Sequence, residues 1–345
     1  MEPVVDEAGR DNWAEPGVYS VAPGVFRIPL PLPHDSLKAV NVYALVDDND
    51  LVLIDSGWAL DSARDALVAG LAGIGCGLGD VRRFLVTHIH QDHYTQAIAL
   101  RREFGMEVAL GKGEQPSLDL VSRVVEPSSS AYVDRLRAAG ADTVVARLAS
   151  LPRPPRDPGL WGQPDEWLSD RATASVGERE LTAVATPGHT RGHLVYVDGA
   201  AGLFFAGDHV LPHITPSIGF EAVPADFPLR DYLDSLHLVR AMPDARLLPA
   251  HGPVGPSVHA RVDALLEHHD RRLAEIEGLV AQGAGTAYEV ASRMTWTRRQ
   301  RALSELDPFN EMLAVLETMS HLDVSVLQGR LRRSDVDSSR HYQVA

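Results

Sequence analysis

Short aliphatic and β-branched runs open the chain. Val25 to Pro29, Val40 to Val46 and Leu51 to Ile54 are separated by turn-forming residues, which is the pattern of sheet strands. Helical spacing takes over from Ser62 to Leu71. Phe84 to Thr87 is a further apolar run that stops at His88, and Thr95 to Phe104 returns to a helical repeat. Strand, polar motif and helix in that order predict an α/β protein whose chemistry collects in loops at strand ends.

Two helices are expected over Pro116 to Val125 and Ala131 to Ala139, before a proline-rich loop from Leu151 to Gln163. The whole stretch 112–180 reads as an insertion that either covers a substrate or lies in solvent. Strand-like runs return at Leu181 to Ala185, Leu194 to Val197, Leu203 to Ala206 and Arg246 to Leu248. Beyond His251 the texture is helical, because Val258, Val262, Leu265, Leu266, Leu273, Ile276 and Val280 recur at helical intervals. Helices are expected near 257–282, 286–294 and 308–322, then a strand pair around Val324 to Leu331 and a polar, fraying tail from Arg332. Helices followed by a hairpin suggest a winged helix. The division expected is a catalytic domain over 1–255 and a helical, winged-helix-like domain over 256–345.

Composition narrows this picture in three ways. The length of 345 residues, with 45% hydrophobic and 23% charged residues, suits a large α/β core plus a second module. No run approaches the 18 to 20 apolar residues of a membrane span, and Met1 to Gly17 is acidic without an apolar signal core, so a cytoplasmic protein with no membrane association is expected. The net charge of −15 argues against extended nucleic-acid binding. Cys76 is the single cysteine, which excludes an intramolecular disulfide.

Candidate chemistry concentrates in Thr87-His88-Ile89-His90-Gln91-Asp92-His93, directly after an apolar strand. Imidazole and carboxylate are the ligands that borderline divalent ions prefer, and alternation in an extended turn lets His88 and His90 face one side. Asp92 and His93 can then address a second ion. Further ligand candidates stand after later strands, in Thr186-Pro187-Gly188-His189-Thr190, Phe205-Ala206-Gly207-Asp208 and Pro249-Ala250-His251-Gly252. Their glycines allow the chain to reverse at a strand end.

Over residues 20 to 255 the chain resembles the metallo-β-lactamase superfamily, whose signature is a T-H-x-H-x-D-H run followed by separate His, Asp and His ligands. The resemblance implies a four-layer αββα sandwich and two divalent ions, zinc first, with iron or manganese as alternatives. His88, His90 and His189 would bind one ion, Asp92, His93 and His251 the other, and Asp208 would bridge them. Ile54-Asp55-Ser56-Gly57 is similar to the family's strand-ending motif, which implies that Asp55 supports the ligands without binding metal. The segment after 256 resembles the appendage of lactamase-like endoribonucleases and related thioesterases, where it would shape the pocket or mediate a homodimer.

The resemblance thus implies a dinuclear hydrolase in which a metal-bridging hydroxide attacks the substrate while Asp92 and Asp208 act as catalytic groups. A small-molecule ester or thioester is the expected substrate, with an endoribonuclease or a mono-iron sulfur dioxygenase as the alternatives. His34, Trp58, Tyr94, His209 and His213 are the candidates for pocket walls.

Overall fold

The computed structural model describes residues 4–6, 12–33, 37–47, 50–123, 130–152, 157–297 and 299–345. Two sheets form its centre. The first runs in chain order: β1 (Val4–Val5), β2 (Tyr19–Ala22), β3 (Val25–Pro31), β4 (Ala39–Asp47), β5 (Asp50–Ile54), β6 (Val81–Leu85), β7 (Glu107–Gly111) and β8 (Glu166–Leu168). From β5 onward neighbouring strands are parallel, so each connection must cross over, and helices supply the crossings. These are α1 (Asp61–Gly73), α2 (Gln91–Phe104), and the group α3 (Gln115–Arg123), α4 (Ser130–Ala138) and α5 (Asp142–Ala149).

The second sheet holds β9 (Thr173–Val176), β10 (Arg179–Ala185), β11 (Leu194–Asp198), β12 (Leu203–Gly207) and β13 (Arg246–Pro249) in sequential order. Its one parallel pair, β12 with β13, is bridged by α6 (Pro228–Ala241).

Residue alternation decides which layer each side chain joins. In β4, Tyr43 and Leu45 enter a cluster shared with Tyr196, Phe205 and Leu248 of the second sheet, while Val40, Val42 and Ala44 face α1 and α2. In β12, Leu203 and Phe205 face the first sheet, and Phe204 and Ala206 pack on α6 and the first half of α7 (Val258–Ala281). Each sheet is therefore buried on both sides, and its central strands read as continuous apolar runs.

The expected insertion over 112–180 divides. Its first part is helical, and Leu136 and Val144 from α4 and α5 share a cluster with Ile276, Val290 and Val315. Its last part belongs to the sheets, since β8 and β9 are edge strands of the first and second sheet. The expected boundary near 256 falls at the start of α7, whose first half packs on the second sheet and whose last turns join the helical cluster.

After α7 come α8 (Ala287–Arg293), the short pair β14 (Thr295–Trp296) and β15 (Arg301–Ala302), and α9 (Pro308–Leu327). A hairpin of β16 (Leu331–Val336) and β17 (Ser339–Val344) follows. Two expectations are corrected here. The strand pair lies at 331–344, not 324–331, and the polar tail is paired, not frayed. Val324 continues α9 because its side chain completes the apolar cluster over the second sheet, and Leu331 and Tyr342 anchor the hairpin to the helices. Among the described residues no helix is long and apolar enough to cross a membrane.

Candidate metal centre

The carboxyl ends of β6, β10, β12 and β13 deliver the candidate ligands to one place, and that of β5 delivers Asp55 beside them. The turn after β6 carries His88 and His90, and α2 begins at Gln91, four residues earlier than the apolar repeat predicts. Asp92 and His93 therefore occupy its first turn. That puts the Asp92 carboxylate at the positive end of the helix. His189, Asp208 and His251 follow β10, β12 and β13. Two glycines make the approach possible. Gly188 has φ +142°, and a side chain there would lie 2.4 Å from Tyr232 of α6; Gly207, at φ +49°, would meet His193 and Thr87. Both need the conformational range that glycine alone has at no cost.

The candidate ligand atoms converge in two groups, His88, His90, His189 and Asp208 in one and Asp92, His93 and His251 in the other, and Asp208 also reaches toward the second. His90 Nδ1 lies 3.0 Å from His88 Nε2 and 3.1 Å from His189 Nε2. Asp208 Oδ2 is 3.3 Å from His189 Nε2 and 3.9 Å from His88 Nε2. On the other side, Asp208 Oδ1 is 3.3 Å from His251 Nε2 and 3.8 Å from His93 Nε2, and Asp92 Oδ2 is 3.4 and 3.6 Å from the same two nitrogens. For metal–nitrogen distances of about 2.0–2.1 Å, tetrahedral ligand atoms sit about 3.3 Å apart, so both groups have the spacing a divalent ion requires.

Buried orphan atoms make the same point. His93 Nε2, His251 Nε2 and Asp208 Oδ1 are buried without a hydrogen-bond partner, although such groups cost about 1–3 kcal/mol each when left unpaired. All three aim into the second group, and a cation would satisfy them together. The residues present fit the divalent ions that this donor set prefers.

The remote nitrogen of every imidazole is tied elsewhere, which fixes ring and tautomer. His251 Nδ1 donates to Ala39 O at 2.7 Å, His189 Nδ1 to Ser217 O at 2.8 Å and His90 Nε2 to Phe220 O at 3.2 Å. His93 Nδ1 donates to Asp55 Oδ2 at 2.9 Å. His88 Nδ1 lies 3.0 Å from Thr87 Oγ1, which itself donates to Asp55. Asp55 also accepts from Thr87 N at 2.8 Å and adopts φ +61°, a conformation Asp tolerates better than most residues. One buried carboxylate thus orients candidate ligands of both groups.

Electrostatics favour positive charge between the carboxylates. Burial opposes the charged form of Asp92, but His93 and His251 outweigh it and hold Asp92 down at about 2. Asp208 is held well below the usual range against burial by His251 and His93. His93 is raised to about 10, because Asp92, Asp55 and Asp208 overcome the burial penalty. In the first group, burial and neighbouring imidazoles push His88 down, and His90 falls to about 3 through burial and His189. These two histidines are thus neutral, as ligands must be.

The pocket-wall candidates separate. His213 is exposed, its ring 3.9 Å from where a side chain on Gly252 would begin. His209 is fully buried against Tyr232, with burial lowering it to about 3. Tyr94 points away from the centre: its helical position turns the ring into the apolar layer under the first sheet, and its hydroxyl donates to Gly162 O at 2.5 Å. Trp58 packs half-buried on that same layer. His34 lies outside the described residues.

Two supporting residues escaped the sequence reading. His193 is fully buried, stacks under His88 with centroids 5.1 Å apart, and accepts from Asp208 N at 3.1 Å. Its signal was the second histidine of His189-Thr190-Arg191-Gly192-His193. Glu114, fully buried, accepts from the Thr190 hydroxyl and from the Ile89 amide, so it ties the His88–His90 turn to the His189 turn. Burial pushes it up to about 8. Nothing local marks Glu114, which reaches the site because Gly111 and Gly113 let β7 and its following turn lie directly on Gly192.

The family model described as the metallo-beta-lactamase superfamily matches residues 36–251. The chain is 24% identical over 302 residues to the probable metallo-hydrolase YqjP of Bacillus subtilis, covering 86% of this chain and 90% of that protein. It is 26% identical over 240 residues to the atrochrysone carboxyl ACP thioesterase of Aspergillus fumigatus, covering 70% of this chain but 44% of the relative. Among solved structures, a metallo-beta-lactamase family protein from Thermus thermophilus superposes with a TM-score of 0.74 at 26% identity, over 94% of this chain and 100% of that one. A beta-lactamase domain protein from Burkholderia ambifaria gives 0.75 at 25% identity, over 99% of each.

Proposed function

The chain belongs to the metallo-beta-lactamase superfamily, and from that premise we propose that it is a dinuclear, zinc-dependent hydrolase of a small-molecule ester or thioester. The observation that carries this reading is the division of candidate ligand atoms into two groups, with Asp208 Oδ2 3.3 Å from His189 Nε2 of the first and Asp208 Oδ1 3.3 Å from His251 Nε2 of the second. The thioester preference draws on the Aspergillus thioesterase among the relatives and on the acidic charge of the chain, which disfavours a polyanionic substrate. The same reading takes the packing of helices, two sheets and helices as the four-layer sandwich, and the helical segment with its hairpin as a winged-helix-like appendage. It also keeps the cytoplasmic placement and leaves the oligomeric state, monomer or homodimer, to solution measurement.

His88, His90 and His189 would hold one ion, Asp92, His93 and His251 the other, and Asp208 both. Bound divalent ions supply Lewis acidity and lower the pKa of water from 15.7 toward about 7. The chain's own residues do the rest. Asp208 sets the separation of the two groups, and the hydrogen bond that its backbone N–H donates to His193 Nε2 fixes its backbone. Asp92, with 16% of its side chain exposed, is the more accessible of the two carboxylates; it stays ionised and is placed to accept a hydrogen bond from a water attacking the acyl carbon. The first-group imidazoles of His90 and His189 keep their donor nitrogens turned outward to Phe220 O and Ser217 O, so no proton competes at the inward nitrogens.

The test is a panel of acyl thioester, lactone, lactam, phosphodiester and single-stranded RNA substrates, with elemental analysis of the same preparation. Thioester or ester cleavage with two zinc ions per chain is expected, abolished by chelation. Asp208→Ala should lower activity by more than about 100-fold, the upper end for losing only an outer partner of a ligand, and reduce bound metal. RNA cleavage without thioester cleavage would replace the reading by a nuclease. One iron per chain with oxygen uptake on a persulfide would replace it by a dioxygenase.

A further inference from the structure

A row of aromatic rings leads outward from the first ligand group. Phe220 gives its carbonyl to His90 Nε2 at 3.2 Å, and its ring lies 5.7 Å from the His90 ring. Tyr132 of α4 stacks on Phe220 at 5.2 Å with planes 21° apart, and Phe309 of α9 meets it edge-on at 5.2 Å and 88°. Three distant segments each contribute one ring. Phe220 and Tyr132 are half-buried, while Phe309 is 43% exposed.

Helix formation does not call for a ring at Phe309. Asp307 caps α9 by accepting from the amides of Phe309 and Asn310, and Pro308 fixes the first helical position, whatever side chain follows. A single exposed aromatic is ordinary. Here, however, its ring is continuous with a ligand histidine, and the backbone beneath the row is held on both sides. The Arg135 guanidinium donates to Gly219 O, and the Glu221 carboxylate accepts from Arg191 N at 3.1 Å. A site built on such supports keeps its shape when a ligand arrives.

We propose that Phe220, Tyr132 and Phe309 form a specificity wall that receives the acyl group of the substrate, and that this group is planar and aromatic. Aromatic rings prefer offset-stacked or edge-on partners with centroids about 4.5–7 Å apart, the arrangement these three already adopt with one another. A flat acyl group lying alongside that row, its ring against the three and its carbonyl end at the His90 end of the row, would meet them in the same geometry. The inference rests on the ester or thioester reading, and its test separates the two.

The full-length, metal-loaded protein would be assayed with acetyl, benzoyl and 2-naphthoyl thioesters of one thiol, and titrated with 2-naphthoate by fluorescence. Phe309→Ala should lower the ratio of naphthoyl to acetyl kcat/KM by about 3- to 10-fold and weaken naphthoate binding by a similar factor, with metal content unchanged. Phe220→Leu should act in the same direction. An unchanged ratio together with unchanged naphthoate binding would overturn the wall. Weakened naphthoate binding in a protein that cleaves no thioester or ester would leave the wall standing and overturn the hydrolase reading instead.

Discussion

Replacing Asp55 by Asn probes the centre without touching a proposed ligand. The Asp55 carboxylate accepts from Thr87 N at 2.8 Å and from His93 Nδ1 at 2.9 Å. An Asn amide must present its oxygen to the Thr87 N–H, because a backbone amide cannot accept. Its NH2 then faces His93 Nδ1, which has been a donor. Either two donors oppose each other in a buried site, or the imidazole moves its proton to Nε2, the atom lying between Asp92 and Asp208. Both outcomes oppose metal binding, at about 1–3 kcal/mol, which corresponds to roughly 5- to 150-fold in affinity. The fold should persist, since Asn tolerates φ +61° as Asp does. Titration of metal-stripped Asp55→Asn against a competing chelator should therefore show one ion bound as in the parent protein and the second weakened about 10- to 100-fold. Two ions bound with parental affinity would refute the tautomer argument.

The Glu114 bridge predicts a complementary loss in the first group. Glu114→Ala should weaken the ion held by His88, His90 and His189 by about 10-fold, whereas Glu114→Gln, isosteric with the protonated carboxyl that burial favours at neutral pH, should bind close to normally; equal affinities for all three proteins would exclude the bridge. Away from the candidate metal centre, His321 is pushed down to about 3 by burial, donating through Nδ1 to Glu317 O and pairing with His269 at 3.1 Å. Because this folded value lies below the unfolded one of about 6.5, the unfolded chain takes up the extra proton. Stability is present above about pH 6.5 and lost as pH falls toward 3, by up to about 1.4 kcal/mol per pH unit for the group. Urea unfolding at pH 7, 6 and 5 should show a shallower decline for His321→Gln than for the parent, and identical slopes would count against it.

Much of the candidate centre is legible in the chain because the residues that could hold a cation are local in sequence or sit beside turn-forming glycines. His88, His90, Asp92 and His93 lie within six positions, and Gly188, Gly207 and Gly252 mark the strand ends that carry the others. Apolar runs likewise exposed the central strands, because burial on both sides leaves them unbroken. Edge strands of three and four residues carry no such signal, so Glu166–Leu168 and Thr173–Val176 read as part of an insertion.

Residue type and spacing therefore determined which side chains could hold a cation and roughly where strands and helices lie. Only the tertiary structure decided that Asp208 divides its two oxygens between groups, that Asp55 touches His93, and that Glu114 and His193 stand behind the candidate ligands. It also turned Tyr94 and His209 into the core and brought Tyr132, Phe220 and Phe309 into one row. The physical reason is that hydrogen bonds and ring contacts between segments far apart in the chain depend on how two twisted sheets pack, and no local pattern records that packing.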